Sequence, residues 1–435
     1  MLEALKNIFK IPELKKRVLF SLGMLAVYRV GCHIPVPGID RLALSHFFRE
    51  AQGTLLGLFD MFSGGALERL TVFALGIMPY ISSSIIFQLL TVVVPAIEKL
   101  SKEGEAGRKK IIQYTRYGTV VLSVVQGLGI SIGLESMRGP AGELVVPTPG
   151  WSFRLMTVLT LTAGTAFIMW LGEQMSEKGI GNGISLIIFA GIVVRIPSAI
   201  GNTIKLLNAG QISLFAIIFV FALMFAVIAG VVFVERGQRR LPIHYAKKVV
   251  GLKTFNAQSS HLPLKVNMAG VIPPIFASSI IMFPATIANF IDISWVQKAA
   301  QSLTPGNWIY NIFFVAFIVF FCYFYTAVTF NPVDVAENIK KHGGYIPGIR
   351  PGKETSDFMD SVLTRLTFAG AIYISIVCVL PSILIGKFNL PFYFGGTALL
   401  IAVGVGMDTV AQIESHLITR NYEGFLKGVR IRGRK

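Results

Sequence analysis

Charge is what this sequence has least of. Of 435 residues only 14% are Asp, Glu, Lys or Arg, where a soluble globular protein carries about 25%. That shortfall excludes an ordinary soluble enzyme, and 53% apolar residues exclude intrinsic disorder. Cysteine is scarce as well. Cys32, Cys322 and Cys378 lie far apart without CxxC spacing, so neither a disulfide framework nor a zinc knuckle is expected. They read as small apolar side chains in packed helices. No G-x-x-x-x-G-K-[ST] occurs, and Gly352-Lys353-Glu354-Thr355 fails both the spacing and the residue after the lysine. Gly179-Ile180-Gly181-Asn182-Gly183 matches part of a dinucleotide fingerprint, but no strand precedes it. The six histidines form no HExxH pair. Neither cofactor nor metal is expected. No small-residue cleavage site follows the first apolar run, so no cleaved leader is expected.

What remains is a greasy chain whose few charges are mostly positive. Mean hydropathy is +0.65, and 40 Lys and Arg against 23 Asp and Glu give a formal charge of +17. This is the composition of a polytopic membrane protein with basic loops. Stretches near the ~20 residues that a crossing helix needs lie at 19–39, 69–98, 116–135, 154–173, 178–195, 205–235, 265–292, 298–334, 365–387 and 387–408. Ten spans put both termini on one side. With the N-terminus in the cytoplasm, roughly 30 basic residues fall inside and about 9 outside, which sets the orientation. Ionisable residues within spans mark ion-coupled carriers, and here they are few. Arg29 and Asp408 are each placed to snorkel or to pair with a neighbour.

Two segments resemble each other. Gly76-Ile77-Met78-Pro79-Tyr80-Ile81 opens the second span and Gly270-Val271-Ile272-Pro273-Pro274-Ile275 opens the seventh. Each runs on into a Ser-bearing aliphatic stretch. Two copies of five spans have opposite orientations in the membrane, the inverted repeat that builds a pathway between halves. The organisation expected is therefore a cytoplasmic amphipathic N-terminus (1–17), an N-terminal half (18–200), an external hinge loop (201–211), a C-terminal half (212–412) and a basic cytoplasmic tail (413–435).

One apolar stretch fits no span. Residues 55–67 are too short to cross and contain Asp60, which suits a re-entrant or interfacial segment. Irregular backbone survives at membrane depth only inside protein or beside a water-filled cavity. Gly64-Gly65 is expected to be a flexible joint between this half-helix and the next span. Either a movable stopper or an external amphipathic helix would satisfy the pattern. Three cytoplasmic regions, 98–116, 235–265 and 331–365, are long and basic. Their sign follows from positive-inside bias and attraction to anionic lipids. Their length does not, and points to docking of a large acidic partner, RNA phosphate or protein.

Nine blocks in order carry a family resemblance. They include Ile34-Pro35-Val36-Pro37-Gly38-Ile39-Asp40, Met61-Phe62-Ser63-Gly64-Gly65-Ala66-Leu67, Gln113-Tyr114-Thr115-Arg116-Tyr117-Gly118, Phe233-Val234-Glu235-Arg236-Gly237-Gln238-Arg239-Arg240, Pro347-Gly348-Ile349-Arg350-Pro351-Gly352 and Pro391-Phe392-Tyr393-Phe394-Gly395-Gly396-Thr397. The chain resembles the SecY family, the large subunits of bacterial protein-conducting channels. The resemblance implies an all-α polytopic fold of ten transmembrane helices in two inverted five-helix halves, around an hourglass pore. It implies a non-enzymatic pore subunit in the bacterial cytoplasmic membrane, passing unfolded secretory polypeptides across and releasing transmembrane segments sideways into lipid. By position the pore ring would be Ile77, Ile81, Ile184, Ile188, Ile275 and Ile401. The plug would occupy about 55–70, with Phe59, Asp60, Met61, Phe62, Ser63, Gly64 and Gly65. A lateral gate between spans two and three and spans seven and eight would be lined by Ser82, Gln126, Phe276 and Ser278. Arg239, Arg240, Lys247, Lys248 and Arg350 would dock the ribosome, through its RNA and its tunnel-exit proteins, or the motor ATPase SecA. SecE and SecG would be companion subunits, and preproteins with signal sequences the substrates. The alternative is an ion-coupled secondary transporter with inverted repeats, disfavoured by the carboxylate-poor interior.

Overall fold

The computed structural model describes residues 11–40, 44, 60, 63–137, 144–210, 213–245, 248–250, 253–255, 259–288, 307–388 and 396–428. The chain divides into two compact units, one of 1–204, 282–305 and 401–435, the other of 205–281 and 306–400. One border lies at residue 204, and both 282–305 and the last helix from Ile401 onward cluster with the first unit.

The first unit begins with α1 (Pro12–Gly31), then α2 (Met78–Val93), α3 (Pro95–Lys102), α4 (Glu105–Ser136) and α5 (Trp151–Lys178). It continues with α6 (Gly183–Val193) and most of α7 (Ile196–Asn208). Proline sets the breaks. Pro95 forces Val94 out of helical geometry (φ −105°, ψ 110°), so α2 and α3 meet at 99°. The charged α3, with Lys102 donating to Glu98 at 2.7 Å and no buried residue, is thereby turned away from the axis of the span. Pro197 cannot donate to the carbonyl of Val193, and α6 ends at that residue. Helix α7 runs to Asn208, so the connector expected at 201–211 is helical over most of its length. The helix continues through Gly201-Asn202 and ends where Gly210 takes left-handed backbone, φ +70°.

Helices α4 and α5 lie antiparallel and are tied at both ends. Arg116 pairs with Glu173 at 2.8 Å, and at the opposite end Arg154 pairs with Glu135 at 2.5 Å. The described stretch just before α2 is not regular helix. Residues 64–77 run as successive turns, with Leu70, Phe73, Ala74 and Leu75 all buried. Their backbone bonds to the stretch after α1, Val36 N–H donating to Leu70 O and Val72 N–H to Ile34 O at 2.9 Å each. Non-helical backbone thus sits inside protein, with its polar groups satisfied there.

In the second unit α8 (Leu214–Arg236) leads into β1 (Gln238–Tyr245), β2 (Lys248–Val250), β3 (Lys253–Phe255) and β4 (Ser259–Lys265). Then come α9 (Ile272–Ala288), α10 (Trp308–Thr329), α11 (Pro332–Lys341), β5 (Gly344–Tyr345) and α12 (Lys353–Phe388), before α13 (Gly396–Gly428) returns to the first unit. Strand β1 pairs antiparallel with β4 and with β5. The helical expectation therefore gains a small sheet, built from the stretch read as a basic loop. The three cysteines are buried and free.

Seven helices among the described residues are long and apolar enough to cross a membrane by themselves. They match expected spans three to six and eight to ten. The other three are α1, whose basic first turns dilute it, the bent pair α2–α3, and α9, whose described apolar part is short. The expected tail at 413–435 continues α13 as helix to Gly428.

Candidate functional site

The Gly64-Gly65 joint is not a loose hinge. Both glycines have left-handed backbone, φ +68° and +85°, a conformation that side-chain-bearing residues rarely adopt. A Cβ on Gly64 would lie 2.9 Å from the Cα of Gly191 in α6, so two backbones touch there. Tyr28 Oη donates to Ser63 O at 3.2 Å and Arg29 Nη1 donates to Gly64 O at 3.2 Å. This is what Arg29, the one charge within the first span, does. Asp60 is 3% exposed. One of its carboxylate oxygens accepts from the Glu68 N–H at 2.8 Å. The other pairs with Arg195, at the break between α6 and α7. Ser63 Oγ donates to Asp60 O at 3.0 Å and accepts from Leu67 N–H at 3.2 Å. Asp60, Ser63, Gly64 and Gly65 thus form one rigid root against α1 and α6. Phe59, Met61 and Phe62 lie outside the described residues.

Five of the six isoleucines expected in the ring are buried and Ile184 is half-buried. Ile77 caps α2 and Ile81 follows one turn later, at 2% and 9% exposed. Ile184 and Ile188 share a face of α6, the first half-buried and the second 3% exposed. Ile401 on α13 is 1% exposed. In the second unit Ile275 stands near the start of α9, also buried. The two repeat segments have the same local geometry. Gly76 and Gly270 are left-handed, φ +56° and +63°, and each lies two residues before a helix and five before Ile81 or Ile275.

Of the residues expected to line a seam, Ser82 and Gln126 are half-buried on α2 and α4. The Gln126 Oε1 is buried without a hydrogen bond. Phe276 packs edge-on against Phe321 of α10, centroids 5.6 Å apart, and Ser278 Oγ donates to its own helix at Ile275 O, 2.9 Å away. Sequence reasoning missed Ser83, whose Oγ donates to Thr115 O of α4 at 2.8 Å. It also missed Arg195, which it treated only as the end of a span. The buried Asp60 calls for a cation nearby, but the sequence offers Arg29 as readily as Arg195, which lies 135 residues away.

Two of the three basic regions, 235–265 and 331–365, share one folded platform; the third, 98–116, lies in helices of the first unit. Leu241, Ile243 and Leu264 of the hairpin pack with Ile339, Ile346, Met359, Val362 and Leu363 in a single core. Arg239 and Arg240 are exposed at the start of β1. Arg350 is exposed in a turn where Gly348 has φ +83° and Thr355 Oγ1 donates to Arg350 O at 2.8 Å. Two loops separate in sequence therefore present their arginines from one support. Lys248 opens β2, and Lys247 lies outside the described residues. The Gly179–Gly183 motif turns out to be a helix cap, with Asn182 accepting from the N–H groups of Ile184 and Ser185.

The family model for SecY matches residues 71–410. The chain is 54% identical over 427 residues to the protein translocase subunit SecY of Pseudomonas aeruginosa, covering 97% of this chain and 95% of that one. The chain belongs to the SecY family. Solved structures agree on the fold. A protein-conducting channel superposes with a TM-score of 0.67 at 17% identity, over 93% of both chains. Sec61 in a canine ribosome–channel complex from the endoplasmic reticulum gives 0.64 at 16% identity, again over 93% of both chains. Membership in the SecY family makes the chain a multi-pass membrane protein and a protein translocase subunit, a channel component rather than an enzyme or an ion-coupled carrier.

Proposed function

We propose that this chain is the pore of a bacterial inner-membrane translocon with both termini in the cytoplasm. Ile77, Ile81, Ile184, Ile188, Ile275 and Ile401 form its collar. A pore for unfolded polypeptide must accept every side chain, so charged ligands would trap one class of substrate. It must also hold ions back when idle. An apolar constriction does both, because it dewets and gates without specific binding. The observation that carries this reading is the repeated left-handed glycine, five residues ahead of Ile81 in one unit and of Ile275 in the other.

The segment at 55–70 acts as the plug, and its root at Asp60, Ser63, Gly64 and Gly65 anchors it. Ser82, Gln126, Phe276 and Ser278 line the lateral gate, with the unbonded Gln126 Oε1 supporting a seam that must tolerate water. A substrate helix leaving by that route gains about 0.3–0.6 kcal/mol per central Leu or Ile. Arg239, Arg240, Lys247, Lys248 and Arg350 dock the ribosome or SecA, a reading supported by the platform that carries the three arginines and by the likeness to a ribosome-bound channel. SecE and SecG complete the complex, preproteins are its cargo, and anionic lipids meet its basic face. Photocrosslinkers at Ile81 and Ile275 test the collar. A stalled secretory chain should label both positions, and labelling of neither would refute it.

A further inference from the structure

We infer that the Asp60–Arg195 ion pair is a latch, which holds the plug root in the resting channel and must part when the channel opens. The inference rests on the plug reading of 55–70. A latch needs a bond that is strong when the channel is closed and weak when it is open. Asp60 is almost wholly buried, and Arg195 is about one-third exposed. Beside a carboxylate so buried the attraction is stronger than in open water, and leaving Asp60 unpaired there is costly. Water or a threaded chain entering the space hydrates both groups and removes most of that penalty.

The geometry gives the pair no slack. The Arg195 guanidinium lies beside Gly65, with its Nη2 3.7 Å from where a Cβ would stand. Arg29 lies against Gly64, so two arginines bracket the glycine pair from α1 and from the α6–α7 break. The Tyr28 and Arg29 side chains donate to neutral backbone carbonyls, Ser63 O and Gly64 O, so these bonds carry no charge pair that wetting would weaken. The ion pair is different: it joins the root to another helix through two side chains, and its strength depends on exclusion of water. It is therefore the contact whose loss can be coupled to wetting of the pore.

Asp60→Asn is the informative substitution, because an amide oxygen still accepts from the Glu68 N–H while the charge is lost. The purified complex carrying Asp60→Asn, Arg195→Gln, or both is placed in planar bilayers, with assembly confirmed by co-purification of its subunits. Each single variant should raise resting ion conductance by about tenfold, and the double variant no further than the larger single, since one interaction is removed in all three. Wild-type conductance in both singles, or effects that multiply in the double, would overturn the latch. Deleting residues 55–62 separates this from the reading beneath it. If the deletion leaks while both single variants stay tight, the latch alone fails. An unchanged leak on deletion removes the plug itself.

Discussion

Ser83 Oγ of α2 donates to the carbonyl of Thr115 in α4 at 2.8 Å, directly beside Gly118, where an added Cβ would come within 2.4 Å of that hydroxyl. The two helices meet here through a small residue and a buried polar contact, the way membrane helices gain closeness without a hydrophobic driving force. The contact fixes α2 to α4 on the same side of the proposed gate.

Gly118→Ala should therefore be destabilising by about 1–3 kcal/mol, the usual range for overpacking. Ser83→Ala should cost only about 1 kcal/mol, because the Thr115 carbonyl keeps its place in the helix. Thermal unfolding of the detergent-solubilised complex ranks the two. If Ser83→Ala proves the worse, the close approach at Gly118 is not what holds the pair.

The two ends of the α4–α5 pair should respond unequally. Glu135 is 10% exposed in its side chain and accepts from Arg154 and from Gly150 N–H at 2.9 Å, whereas Glu173 is 22% exposed opposite a half-exposed Arg116. Glu135→Gln should cost about 1–3 kcal/mol and Glu173→Gln about 0–1 kcal/mol. High salt should widen the difference, since the more buried pair is screened least. Equal losses in the same unfolding assay would contradict this ranking.

The platform separates support from contact. Leu264 is 1% exposed in the core shared by the hairpin, α11 and α12. Leu264→Ala should loosen that core by about 2–5 kcal/mol and open the paired strands β1 and β4 to protease. Arg350→Glu touches no core and should leave protease resistance unchanged, while impairing SecA-driven translocation. Wild-type translocation by Arg350→Glu would remove the docking role, and a protease-sensitive Arg350→Glu would show that the turn is structural.

Much of this was legible from residue order. Uncharged stretches placed the seven helices that are long and apolar enough to cross alone, because a bilayer penalises charge at nearly every position of a span. The repeat at Gly76 and Gly270 was visible because glycine and proline fix the start of each helix. Three-dimensional partnerships were not. Nothing in the local pattern tells that Asp60 meets Arg195, 135 residues away, or that loops 235–265 and 331–365 share one core. Gly64-Gly65 looked flexible because glycine permits many conformations. The fold selects one of them and holds it through Tyr28, Arg29 and Gly191. The hairpin was read as a loop since its alternation is short, with Leu241 and Ile243 as its buried steps and Pro242 and Pro263 interrupting the β pattern.

The seam proposed between α2 and α9 should be testable by locking it. Cysteines introduced at Ser82 and Ser278, with Cys32, Cys322 and Cys378 replaced, would be bridged by a bifunctional reagent. The bridged channel should fail to insert a signal sequence and recover when a cleavable bridge is cut. Insertion at the unbridged rate would argue against this seam as an exit.

The collar should show itself as a barrier to ions that depends on branched apolar side chains at two matched positions. Replacing Ile81 and Ile275 by Ser puts a hydroxyl at each equivalent step of the repeat, where water can bind, and takes away the bulk that narrows the throat. Dewetting depends on both width and polarity, so the double variant should leak ions in the resting state while still passing polypeptide. Ile→Val at the same positions keeps the apolar surface and should leak far less. Conductance of single channels in planar bilayers reads both. A Ser variant as tight as wild type would mean that the seal lies elsewhere, with the plug root at Asp60 and Arg195 as the next place to look.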